Sequence, residues 1–142
     1  MKVRDIMTQA AVCCRPDSNL GIAVELLWIH NYGMLPVVDK NKKLTGVVTD
    51  RDICIALGTR NRLAGNLTVG EVATARVFTC KGDDDIHEAL GTMADHQVRR
   101  LPVVDKTASR KECCQWMTFS YMRTKTSGKG VANYLPKKSF EA

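Results

Sequence analysis

The sequence predicts an α/β protein built from two β-α-β-β-α units, the second of them incomplete. Three observations predict it. Leu35-Pro36-Val37-Val38-Asp39-Lys40 recurs as Leu101-Pro102-Val103-Val104-Asp105-Lys106, an offset of 66. Each copy follows a stretch whose apolar residues fall at helical spacing. Beyond Asp105 the strand–helix grammar that completes the first unit stops.

Carried back without a gap, the offset matches Val3 with Val69, Thr8 with Thr74, Cys14 with Cys80, Asp17 with Asp83, Ala23 with Ala89 and His30 with His96. The aligned stretch holds 12 identities over 38 positions, the signature of a duplicated supersecondary unit.

Each unit opens on a short β-type run, Ala11-Val12-Cys13 and then Val77-Phe78-Thr79. A capping cluster follows, Pro16-Asp17-Ser18 or Asp83-Asp84-Asp85, whose oxygens can satisfy the first free helical N–H groups. Leu20, Ala23, Val24 and Leu27, and in the second unit Ile86, Ala89, Leu90 and Met93, then form one apolar helical stripe. Gly33 is placed to end the first helix, since glycine tolerates a positive φ. A buried strand runs from Leu35 to Val38. The first unit continues with a turn, Asp39 to Lys43, a strand, Gly46 to Thr49, and a helix from Asp50 to Leu57 closing at Gly58. Residues Thr59 to Asn66 read as a linker. The boundaries are therefore 1–66 for the first unit, 67–105 for the incomplete second and 106–142 for a tail.

With 44% hydrophobic and 25% charged residues, the composition is that of a globular protein. No apolar run is long enough to span a membrane, and the N-terminus has no signal-peptide core, so a cytoplasmic location is expected. The net charge of +6 lies wholly in the tail. Residues 1–105 hold 13 basic and 13 acidic side chains, which argues against nucleic acid as a partner. Six cysteines, in two adjacent pairs and two singles with no C-x-x-C, form neither a disulfide framework nor a zinc or redox motif. Gly128-Lys129-Gly130 lacks the spacing of a phosphate-binding loop.

Val3-Arg4-Asp5-Ile6-Met7-Thr8, Leu35-Pro36-Val37-Val38-Asp39 and Gly46-Val47-Val48-Thr49-Asp50-Arg51-Asp52-Ile53 resemble, in order, the opening segment, central strand and closing strand–helix motif of a CBS domain. Two in tandem resemble a CBS pair, or Bateman module, over residues 1–105. The resemblance implies two pseudo-twofold-related units packed sheet against sheet. It also implies a regulatory rather than catalytic role, commonly as a homodimer. The expected ligand is an adenosyl compound (AMP, ADP, ATP or S-adenosylmethionine) held in a cleft between the domains, with no other cofactor and no metal. A structural or dimerisation module without ligand is the alternative.

The motif implies that Asp52 accepts from the ribose hydroxyls, with Thr49 and Val48 beside it. The same spacing is a capping box, Thr49 as N-cap and Asp52 at N3, and both roles can coexist. In the family, the carboxylate of one domain faces the opening segment and central strand of the other. Asp52 is thus expected to face Ala75-Arg76-Val77 and Val98-Arg99-Arg100-Leu101-Pro102. Val77, Pro102, Arg99 and Arg100 join the expected site. The arginines resemble the phosphate contacts of kinase-regulating members of the family, and their planar fork suits phosphate oxygens. Arg51 is a third cation beside the carboxylate. His30 and His96 end their helices and are expected as dipole partners rather than ligands.

Lys106 to Thr118 lacks the closing motif. Read with the third base of each codon joined to the first two of the next, the same stretch permits Asp-Gly-Lys, two further residues, then Gly, two apolar residues, Ser, one more apolar residue and two Asp. The single codons of Trp116 and Met117 force both Asp residues. Residues from about 106 onward are therefore expected to be a frame-shifted reading that fails to complete the second unit, and the second cleft is expected to lack its carboxylate.

Overall fold

The computed structural model describes residues 1–7, 12–104 and, as backbone, 113–118. The first unit comprises α1 (Leu20–His30), β1 (Met34–Val38), β2 (Leu44–Thr49) and α2 (Asp50–Arg60). After a connecting segment comes a one-turn helix, α3 (Val69–Val72). The second unit then holds β3 (Cys80–Lys81), α4 (Ile86–His96), β4 (Arg100–Val104) and β5 (Cys113–Thr118). In each unit the central strand pairs antiparallel with the strand that follows it, β1 with β2 and β4 with β5.

Local chemistry fixes most element ends. Asn19, not the Pro16-Asp17-Ser18 cluster, caps α1, its Oδ1 accepting from Ile22 N at 3.0 Å. It stands next to the first helical residue, where the geometry favours it. Asp85 caps α4 as expected, accepting from His87 N at 2.8 Å. Asn31, rather than Gly33, takes the left-handed position that ends α1, at φ 52°. Likewise α2 runs through Gly58 and ends at Asn61, φ 48°. Asparagine is the non-glycine residue that best tolerates this region. The Asp39 turn is held by its Oδ1, which accepts from Asn41 N at 2.8 Å and Lys43 N at 2.9 Å. These bonds, chiefly the one from Lys43, hold its carboxyl below the ordinary carboxylate range.

The opening β-runs are shorter than the sequence suggests. Residues 8–11 lie outside the described set, and Cys14 makes only a single parallel bridge to Val37. In the second unit pairing begins at Cys80, with Val77 to Thr79 off the ladder. Val24, expected in the buried stripe of α1, is exposed, because it sits at the edge of the arc formed by Leu20, Ala23 and Leu27.

One expectation is overturned at a single element. The sequence after Asp105 was expected to supply no strand, yet Cys113–Thr118 pairs with β4 in the register that β2 takes with β1. Arg100 stands opposite Thr118 as Met34 stands opposite Thr49. The physical reason is an open edge. β4 offers unpaired N–H and C=O groups, and a six-residue uncharged segment satisfies them whatever its motif. A closing helix after β5 lies outside the described residues.

The two units exchange their opening segments. Val3 N and Arg4 N donate to Asp84 O and Gly82 O at 3.0 and 2.9 Å, and Arg4 pairs with Asp83 at 2.8 Å. In the other direction Leu20 N donates to Leu67 O at 2.9 Å and Val69 N to Ser18 O at 2.7 Å. The cores follow this exchange. Leu67 and Val69 pack with Leu20, Leu35, Val37, Val48 and Ile53, whereas Val3 packs with Ile86, Met93, Leu101 and Val103. Thr74 pairs with Val47 in both directions, at 2.8 and 3.0 Å. Gly46 permits that approach: a Cβ there would lie 2.9 Å from the Thr74 carbonyl oxygen.

Candidate functional site

Where the exchanged segment crosses the end of β2, the units leave a cleft of about 520 Å³, counting the space that opens to solvent. The first unit lines it with Met34, Val47, Thr49 and Asp52. The second contributes Thr74, Arg76, Val77 and Phe78 from the crossing segment, and Val98, Arg100 and Pro102 from around β4.

Thr49 and Asp52 form the capping box of α2. Thr49 Oγ1 accepts from Asp52 N at 3.1 Å, and Asp52 Oδ2 accepts from Thr49 N at 3.1 Å. Asp52 Oδ1 accepts no hydrogen bond from a described residue, and Oδ2 keeps one lone pair. The cap thus fixes the carboxylate without consuming it, and presents a rigid acceptor to the cleft.

Across the cleft, Arg100 begins β4. Its Nε is buried and meets no hydrogen-bond partner among the described residues. Its guanidinium lies over Gly33, in the connection from α1 to β1. Arg76 is exposed and stands 5.4 Å from the centre of the Phe78 ring. That ring stacks on His96 with centroids 3.6 Å apart. His30 similarly stacks on Tyr32 at 5.3 Å. Both histidines stand in the last turn of their helices. The charged lining is one carboxylate and two guanidiniums, an arrangement that can hold hydroxyl donors at one end and an anion at the other.

Of the eight residues expected at a site, Thr49, Asp52, Val77, Arg100 and Pro102 line the cleft. Val48, Arg51 and Arg99 do not. Val48 is fully buried in the first core, and successive strand residues point to opposite faces, so Val47 takes the cleft side. Arg51 is exposed on α2, and Arg99 is exposed one residue before β4. Arg76 and Val98 belong to the segments expected to face Asp52. Met34, Thr74 and Phe78 were not foreseen. Pseudo-symmetry could have found Met34, which occupies in the first unit the place of Arg100 in the second.

The CBS domain family matches residues 3–59 and 69–109. This chain belongs to the CBS-domain family. It is 35% identical over 104 residues to the CBS domain-containing protein YhcV of Bacillus subtilis, covering 73% of each chain. The CBS pair of protein MJ0100, solved with 5′-methylthioadenosine and S-adenosyl-L-methionine, superposes with a TM-score of 0.74 at 26% identity, covering 83% of this chain and 89% of that one. CBSX2 in complex with AMP gives 0.68 at 27% identity, covering 82% and 89%. The described fold is a tandem CBS pair. No helix among its described residues is long and apolar enough to cross a membrane.

Cys14 and Cys80 sit in the cores of this CBS pair as small apolar residues. Burial pushes the thiols of Cys14 and Cys80 up to about 12, so neither is a thiolate at neutral pH. Among the described residues no three metal-binding side chains cluster.

Proposed function

We propose that this CBS pair is a cytoplasmic regulatory module that binds a phosphate-bearing adenosyl nucleotide, of the AMP class, in the Asp52 cleft. The observation that carries the reading is the pairing, across one cleft, of a capped carboxylate with a buried arginine Nε that meets no partner among the described residues. Asp52 receives the ribose cis-diol, and Thr49 stands beside it. Arg100 receives the phosphate, with Arg76 as a second, exposed cation. Structural relatives whose ligands are AMP, S-adenosylmethionine and methylthioadenosine support the adenosyl part of the reading.

One nucleotide is expected per chain. Thr118 holds the register position of Thr49, and three residues further, where Asp52 stands in the first unit, the sequence has Tyr121. The sequence therefore has no carboxylate at the position equivalent to Asp52.

A thermal-shift titration tests the proposal. A ligand that binds only the folded state adds about 2.7 kcal/mol at a hundredfold excess over Kd, a rise of several degrees in Tm. AMP is expected to raise Tm more than adenosine, and Arg100→Ala to abolish the difference while leaving the adenosine effect intact. No shift with any adenosyl compound at millimolar concentration would leave the ligand-free reading in its place.

The chain is also proposed to self-associate. α1 turns Ile22, Val24, Trp28 and Ile29 to solvent, with Trp28 84% exposed, although its other side already packs on the core. That apolar face suits a second copy of the same helix in an isologous contact. Sedimentation equilibrium is expected to show a dimer, and Trp28→Glu a monomer with an unchanged far-ultraviolet spectrum. A monomeric parent at millimolar concentration sinks the idea.

A further inference from the structure

We infer that Gly33 is a positioning residue for Arg100: the space left by its missing side chain seats the guanidinium at the edge of the cleft, and that seat gives the cleft its preference for phosphate. The inference rests on the adenosyl-nucleotide reading above.

Neither backbone nor helix end explains a glycine at this position. Asn31 already supplies the left-handed residue that ends α1, and the backbone at Gly33 lies outside the left-handed region, so other residues could adopt it. Space explains it. A Cβ on Gly33 would stand 3.0 Å from Arg100 Nη1, 2.5 Å from Cζ and nearer still to Nη2. The guanidinium of the second unit fills the place where a side chain of the first would be.

The seat is held relative to the carboxylate. The Gly33 carbonyl accepts from Asp50 N at 3.3 Å, at the start of the helix whose third residue is Asp52. A guanidinium resting there is placed at a set distance from the ribose acceptor, and its long side chain loses less freedom when an anion arrives. The repeat shows the seat is used once. Arg99 occupies the position equivalent to Gly33, and Met34 the position equivalent to Arg100. The other half of the molecule thus has neither the glycine nor the arginine of this seat at the equivalent positions.

A methyl group at Gly33 meets the mobile end of a long side chain, not backbone. Gly33→Ala is therefore expected to fold and to displace Arg100. Calorimetric titration of adenosine and AMP into the parent, Gly33→Ala, Arg100→Ala and the double variant tests this. In the parent, AMP is expected to bind roughly tenfold more tightly than adenosine, the increment of a charged hydrogen bond. In Gly33→Ala that ratio is expected to fall towards one, with adenosine affinity unchanged within about twofold, as befits a lost anion contact alone. In the Arg100→Ala background, Gly33→Ala is expected to change nothing further. An unchanged ratio in Gly33→Ala overturns the inference. So does an equal loss for both ligands, which marks a merely structural role. If the parent binds adenosine and AMP equally, the seat has no phosphate function although the adenosyl reading stands. If it binds neither, both fall.

Discussion

Asp52→Asn is expected to weaken adenosine and AMP binding alike, by tenfold or more. Its partner in the proposed complex is the ribose, which both ligands carry. A hydrogen bond to a charged group contributes about 1.5–3 kcal/mol, and each 1.4 kcal/mol is tenfold in affinity. Asparagine is preferable to alanine because its amide oxygen can still accept from Thr49 N, as Asp52 Oδ2 does at 3.1 Å. The helix cap survives, and the charge facing the cleft is lost. Removing the cap as well would subtract about 1 kcal/mol of stability and confuse the comparison. Calorimetry on a variant whose melting point matches the parent decides the matter. Parental affinity for adenosine in that variant would remove Asp52 from the site.

Leu67→Ala is expected to destabilise the protein by about 2–5 kcal/mol, the range for truncating a buried leucine. Leu67 is fully buried, and although it opens the second unit in sequence it packs into the core of the first, beside Leu20 and Leu35. Leu63, four residues earlier, is 75% exposed, and its replacement by alanine is expected to stay within about 0.5 kcal/mol. Urea denaturation of the two variants measures the contrast. Equal and small effects would mean that the segment is not part of the first core in solution.

Much of this architecture was legible because duplication doubles every signal. The helices and the capping box appear in the sequence at the right places because they rest on contacts three or four residues apart, and the central strands because the Leu-Pro-Val-Val run occurs twice. What escaped was fixed by distant partners. Arg99 and Arg100 are adjacent and chemically identical, and only strand phase separates the exposed one from the one in the cleft. The same phase exchanged Val47 for Val48. Phe78 and Thr74 lie on a crossing segment with no periodicity to read. The helix ends at Asn31 and Asn61 lost to nearby glycines in the sequence reading, because a favourable asparagine is less conspicuous than a glycine. β5 escaped for a different reason. Its residues carry no motif, and the open edge of β4, not the segment's own pattern, brings the strand into being.

The exchange of opening segments bears on how such a chain could have arisen. A single unit of this design cannot complete itself. Its first residues run away from its own helix and strand, and the place beside Leu20 is filled by a segment belonging to the other half. A lone unit reaches the same arrangement only by trading arms with an identical neighbour. The present molecule is the covalent form of that trade: two mutually dependent halves joined in one chain, free thereafter to diverge, as Gly33-Met34 and Arg99-Arg100 have done.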